Sequence, residues 1–119
     1  RYYLSYFAYG LENGMTEEQI AFYTKNLIEP DLYFFLDADV GTTRARIKSY
    51  RSFDAPELGY RYDAENAAAE DIDARFTAFQ SRVRENYLSH IREGHRVIDA
   101  TQPEILVEQE IRNAFEKMV

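Results

Sequence analysis

Leu32, Tyr33, Phe34, Phe35 and Leu36 form an unbroken apolar and aromatic run between Pro30-Asp31 and Asp37-Ala38-Asp39. A run without alternation predicts a strand buried on both faces of a parallel sheet, and hence an α/β fold. In open sheets of that kind ligands sit beyond the carboxyl ends of the strands, which directs attention to the residues after Asp37.

The rest of the chain punctuates itself around this strand. Residues 1–10 carry Tyr2, Tyr6 and Tyr9 at helical spacing and predict a short amphipathic helix ending at Gly10. Asn13-Gly14 is a turn signal, and Thr16-Glu17-Glu18-Gln19 reads as a capping box opening a helix with an Ile20, Tyr23, Leu27 stripe, closed by Pro30. Asp39 is placed to cap a helix over 42–50, and residues 52–66 read as a long loop. Ala68, Ile72, Phe76, Phe79, Val83, Tyr87 and Ile91 recur every three or four residues, predicting one helix over 65–93 that Gly94 ends. His95 to Ala100 predicts a second strand. Thr101-Gln102-Pro103-Glu104 reads as another capping box, for a last helix with Val107, Ile111, Ala114, Phe115 and Met118 on its buried face. There is no internal repeat, and residues 1–119 read as a single domain.

Composition narrows the classes. The 119 residues include no cysteine, so disulfides and thiolate metal sites are excluded. A net charge of −7 argues against nucleic acid and anionic membranes as partners, because their phosphates would be repelled by the summed field. No apolar run reaches the roughly 18 residues of a membrane span and no signal peptide is evident, so a soluble, cytoplasmic protein is expected.

Against the acidic background, Arg44, Arg46, Lys48 and Arg51 are the one concentration of positive charge. Arg44, Lys48 and Arg51 share a helical face and Arg46 points elsewhere, so the face could clamp a phosphate or, equally, pair with the acids of residues 54–73. The amino-terminal tyrosines suit either stacking on a base or a place in the core. His90 and His95 lack a third ligand, and no metal site is expected.

The order of these pieces resembles thymidylate kinase along nearly the whole chain. The likeness is carried by Arg1-Tyr2-Tyr3-Leu4-Ser5, Ala8-Tyr9, Pro30-Asp31-Leu32 to Leu36-Asp37, and Arg46-Ile47. It continues through Phe-Gln-Ser-Arg-Val-Arg-Glu-Asn-Tyr-Leu from Phe79, and is most specific at Val97-Ile98-Asp99-Ala100-Thr101-Gln102-Pro103. The resemblance implies a P-loop NTPase-type fold of the nucleoside monophosphate kinases, a parallel sheet flanked by helices. Only its carboxyl-terminal part is expected here, entered at the arginine of the Asp-Arg-Tyr motif, without the phosphate-binding Gly-rich loop and not competent alone.

It further implies transfer of the ATP γ-phosphoryl group to dTMP, giving dTDP and ADP, with ATP and Mg2+ as cofactors and a homodimer as the assembly. By the same resemblance, Arg1 and Arg51 act at the phosphates. Ser5, Tyr6 and Tyr9 line the acceptor pocket, while Arg46, Ala100, Thr101 and Gln102 hold adenine. A lid spans about 48–72, with Lys48 and Arg61 as further lid candidates and Arg51 or Arg61 reaching the transferred phosphate. Tyr6 replaces a small polar residue of the family and Gly10 a frequent Gln. These departures keep open a kinase for another nucleotide or deoxynucleoside, and a degenerate module that binds without catalysis.

Overall fold

The computed structural model describes residues 3–119. Its elements run α1 (Tyr3–Glu12), α2 (Glu17–Thr24), β1 (Tyr33–Asp37), α3 (Val40–Lys48), α4 (Ala55–Leu58), α5 (Ala69–Ser89), β2 (His95–Asp99) and α6 (Glu104–Glu116). The two strands pair in parallel, in a register that sets Tyr33 beside His95 and Asp37 beside Asp99. Parallel neighbours need a crossover connection, and α3 to α5 supply it. The Ala100 amide donates to the Asp37 carbonyl at 2.7 Å, carrying the ladder one step past β2.

Helix α5 is the spine, packing against α1, α3 and α4. Its stripe divides between two buried clusters. Phe79 and Val83 meet Ala8 of α1, flanked by Tyr9 and Tyr87. Phe76 meets Ile47 of α3 and Leu58 of α4, with Val40, Phe53, Tyr62, Ala64 and Ile72 around them. Polar bonds fix the α1–α5 crossing: Asn86 Nδ2 donates to the Ala8 carbonyl at 3.0 Å, and Arg82 pairs with Glu12 at 2.7 Å.

Two predicted starts form as expected. The Gln19 amide donates to Thr16 Oγ1 at 3.1 Å while Gln19 Oε1 accepts from the Thr16 amide at 2.9 Å, closing the capping box of α2. Asp39 Oδ2 accepts from the Thr42 amide at 3.0 Å and caps α3.

Other expectations need correcting. Within this chain β1 is not buried on both faces: Leu36 is 49% exposed, because the sheet has two strands only among the described residues. Helix α1 does not stop at Gly10 but runs on to Glu12, and its buried face is Leu4, Ala8 and Gly10, with Tyr6 outside; Tyr2 lies beyond the described residues. In α2 only Ile20 is buried; Tyr23 is exposed and Leu27 lies past the helix end.

The predicted loop at 52–66 contains α4 and packs Phe53, Leu58 and Tyr62 onto α5. Helix α5 begins at Ala69 rather than Glu65 and ends at Ser89, leaving Ile91 outside. Thr101 does not cap α6. Its hydroxyl and amide turn back to Asp99 Oδ1 at 2.5 and 2.9 Å, and Pro103 occupies the cap position with no side-chain bond. No residue of α6 is fully buried; Phe115 and Met118 are exposed. The result is a slab of 51 × 37 × 19 Å.

Candidate functional site

The α3 cations divide by direction. Arg44 and Lys48 both reach Asp73 of α5, at 3.1 and 2.8 Å. Hydrogen bonds from Lys48 and then Arg44 hold the Asp73 carboxyl below its ordinary range. Arg51 donates twice to Glu57, at 2.6 and 3.1 Å, and lies 3.4 Å from Asp54. That bidentate bond raises the Arg51 guanidinium further above its ordinary value. The basic face is thus the acid-paired one of the two readings. Lys48 and Arg51 border a cleft of about 570 Å³ beside Phe53, Leu58 and Ile72. Ser5, Tyr6 and Tyr9 lie elsewhere.

Arg46 turns the other way. Its guanidinium donates to the Ala100 carbonyl at 2.6 Å and to the Thr101 carbonyl at 3.4 Å, bridging 54 residues of sequence. Leu36, Arg46, Ala100, Thr101, Gln102 and Val107 line a cleft of about 580 Å³ beyond the carboxyl ends of β1 and β2. Gln102 is anchored at its edge, donating to Glu110 at 2.7 Å. The Thr101 hydroxyl, then its amide, lower the pKa of Asp99, so this loop is held by a carboxylate that keeps its charge.

A third group forms around α1. Ser5, Tyr6, Tyr9, Gly10, Met15, Pro56 and Tyr60 line a groove of about 270 Å³. Ser5 Oγ shares a hydrogen bond with the Tyr87 hydroxyl at 2.6 Å, and the Tyr9 hydroxyl donates to Gln80 Oε1 at 3.3 Å, so α5 holds the groove's floor. Met15, Pro56 and Tyr60 were not legible as site residues, because only the packing of α4 onto α5 brings residues 56–60 against α1. Arg61 lies against Gly14 and is not among the residues lining this groove, whereas Arg1 lies outside the described residues.

Another feature escaped the sequence. Arg84 of α5 donates to Asp37 at the end of β1 through two bonds of 2.7 and 3.0 Å, beside a cavity of about 130 Å³. Asp37 raises the Arg84 pKa by this contact. The available signal is an acid, Asp37, at the carboxyl end of a strand, with Arg84 inward on the helix that faces it.

His90 stacks on Phe7 with centroids 4.8 Å apart, and His95 tilts against Tyr33 at 5.1 Å, so both histidines are structural. Among the described residues there is no group of three or more His, Asp or Glu arranged to hold a metal ion. Nor is there a helix long and apolar enough to cross a membrane.

His95 Nδ1 accepts the Arg92 amide at 3.2 Å, which requires that nitrogen to be unprotonated. Burial first, then nearby Arg92, depress its pKa, with Glu29 opposing. The unfolded chain binds the proton near its ordinary value of about 6.5 and the folded chain does so only below that. Stability contributed by neutral His95 is therefore complete above that value and declines as pH falls beneath it. Urea denaturation at pH 7.5 and 5.5 is expected to show a drop that is smaller in His95→Gln; equal drops in both proteins exclude this role.

Comparison with protein-family models, with curated proteins and with solved structures finds no match.

Proposed function

We propose that this chain belongs to a nucleoside monophosphate kinase of the P-loop type. It would move the γ-phosphoryl of ATP to dTMP, with release of ADP. The observation that carries the reading is the convergence of Arg46 with Ala100, Thr101 and Gln102, residues grouped by the likeness to thymidylate kinase but far apart in sequence. A guanidinium fixed at its edge by two carbonyls keeps its planar faces, which suit stacking on adenine. Ser5, Tyr6 and Tyr9, which the same likeness assigns to the acceptor, share a separate groove. A homodimer in the cytoplasm accompanies this reading.

The chemistry asked of the protein is positioning and charge neutralisation, without a covalent intermediate. One acceptor phosphate oxygen attacks the γ-phosphorus as the bond to the β-phosphate oxygen breaks. The described residues offer no acid cluster for Mg2+, so no step is assigned through that ion.

The test is ADP formation by the protein expressed from its complete reading frame, with dTMP, dUMP, CMP and thymidine as acceptors. Preference for dTMP is expected, and equal or absent turnover on dTMP overturns the proposal. In the same assay Arg46→Ala is expected to raise KM for ATP about tenfold and leave KM for dTMP unchanged, the pattern of a lost adenine contact. Arg46→Lys is not expected to restore it, because an ammonium has no planar face.

A further inference from the structure

The carboxyl end of β1 is tied to α5 by two neighbouring contacts. Alternation along a strand puts Phe35 and Asp37 on one face, and spacings of four and three put Gln80, Arg84 and Tyr87 on one face of α5. The two faces meet. Phe35 stacks on Tyr87 with centroids 4.7 Å apart, and Asp37 takes the Arg84 guanidinium through its bonds of 2.7 and 3.0 Å. Two donors on two carboxylate oxygens fix orientation as well as distance, because both groups are planar. The Asp37 side chain is only 19% exposed, so salt screens this pair less than a surface one.

Both candidate sites hang from this joint. The Asp37 carbonyl accepts the Ala100 amide at 2.7 Å, so the loop whose carbonyls hold Arg46 is moored to the same residue that Arg84 grips. Helix α3, which carries Arg46, starts two residues beyond Asp37 at its Asp39 cap. Leu36 lines the cavity beside Arg84 and the Arg46 cleft alike. On the other side, Gln80 and Tyr87 stand one turn before and after Arg84 and hold Tyr9 and Ser5 of the α1 groove, at 3.3 and 2.6 Å. Arg84 itself lines neither the cleft nor the groove.

We infer that Arg84 is a positioning residue, which by gripping Asp37 sets the separation of the Arg46 cleft and the α1 groove without touching what either holds. The inference rests on the kinase reading and deepens it. Transfer between two bound molecules needs the attacking oxygen, the phosphorus and the leaving oxygen in line, and a misplacement of about 1 Å costs about a hundredfold in rate. Affinity in each site depends on that site's own walls. Slack in the joint therefore lowers kcat and leaves KM alone, the opposite of the pattern expected at Arg46.

The test combines kinetics with amide hydrogen exchange on the protein expressed from its complete reading frame. In Arg84→Met, kcat with ATP and dTMP is expected to fall about a hundredfold, with both KM values within about twofold of wild type. Asp37→Ala is expected to lose as much, and the double variant no more than either alone, because one joint is broken only once. An Arg84 that met a phosphate directly would leave Asp37→Ala close to wild type, which overturns the assignment. Exchange of the Ala100 amide is expected to quicken about tenfold more than exchange in the middle of α5; equal quickening at both places makes the pair merely structural and also overturns it. Arg84→Lys, which keeps the charge but not the fork, is expected to recover part of kcat and is read in place of Arg84→Met if that variant does not fold. If the wild type turns over dTMP and Arg84→Met keeps its kcat, this role fails and the kinase reading stands. Without turnover of dTMP by the wild type, both fail.

Discussion

Gly59→Ala is expected to cost the fold about 3 kcal/mol or more, the sum of two penalties of about 1–3 kcal/mol each. Gly59 follows α4 with φ 88° and ψ 134°, a conformation that a side chain strains. Space is the second penalty. The new methyl would stand 2.7 Å from an Arg75 guanidinium nitrogen and 2.9 Å from Phe79 Cε2. Arg75 cannot yield freely, because its Nε donates to the Leu58 carbonyl at 2.7 Å, and Phe79 is fully buried. Equilibrium urea denaturation reads the loss as a lower midpoint with little change in slope. A midpoint equal to wild type would mean that residues 58–60 are not seated on α5.

Phe76→Ala is the other large loss, about 3–5 kcal/mol for removing a fully buried ring. Phe76 lies face to face with Phe53, centroids 4.1 Å apart and planes 7° from parallel, and it also touches the cluster of Ile47 and Leu58. One side chain thus joins α3, α4 and α5. Its removal releases the segment that carries Pro56, Tyr60 and Arg61, so the effect extends beyond stability. Amide hydrogen exchange over residues 53–62 is expected to accelerate more than exchange in the α1–α5 contact, and the urea midpoint is expected to fall with it. Phe76→Leu should recover part of both. Uniform acceleration across the chain, with no excess at 53–62, is the result that refutes a local role.

What the sequence disclosed depended on the range of the interaction. Local signals were sound where nothing distant competed, as at the Thr16 box and the Asp39 cap. At Thr101 the same pattern misled. Asp39 has a free helix start ahead of it, whereas Thr101 sits two residues after Asp99, whose carboxylate takes both its hydroxyl and its amide. Both strands were legible, the first from its unbroken apolar run, but their pairing with each other in one parallel register was not. The opposed directions of Arg46 and of the Arg44–Lys48 pair followed from helical geometry alone.

Tertiary choices were not legible. Phe53, Leu58 and Tyr62 are buried or half-buried without any period, because their burial is set by the surface of α5 and not by their own backbone. Whether a cation meets Asp73, Glu57 or a ligand is likewise a matter of which acid the fold brings near. That is why the pairing of Arg51 with Glu57 was not legible. The caps and stripes describe the frame, and the groove exists only once α4 is docked.

The slab shape carries a thermodynamic consequence. A compact monomer of 14.0 kDa would expose about 6,700 Å², whereas this chain exposes 8218 Å². Surface already wet in the native state adds nothing to the heat capacity of unfolding, which comes from newly hydrated apolar area. The free energy of this fold therefore follows a flatter curve with temperature than its length alone implies. Its margin is set by the two clusters on α5, and warming or cooling alters it only slowly.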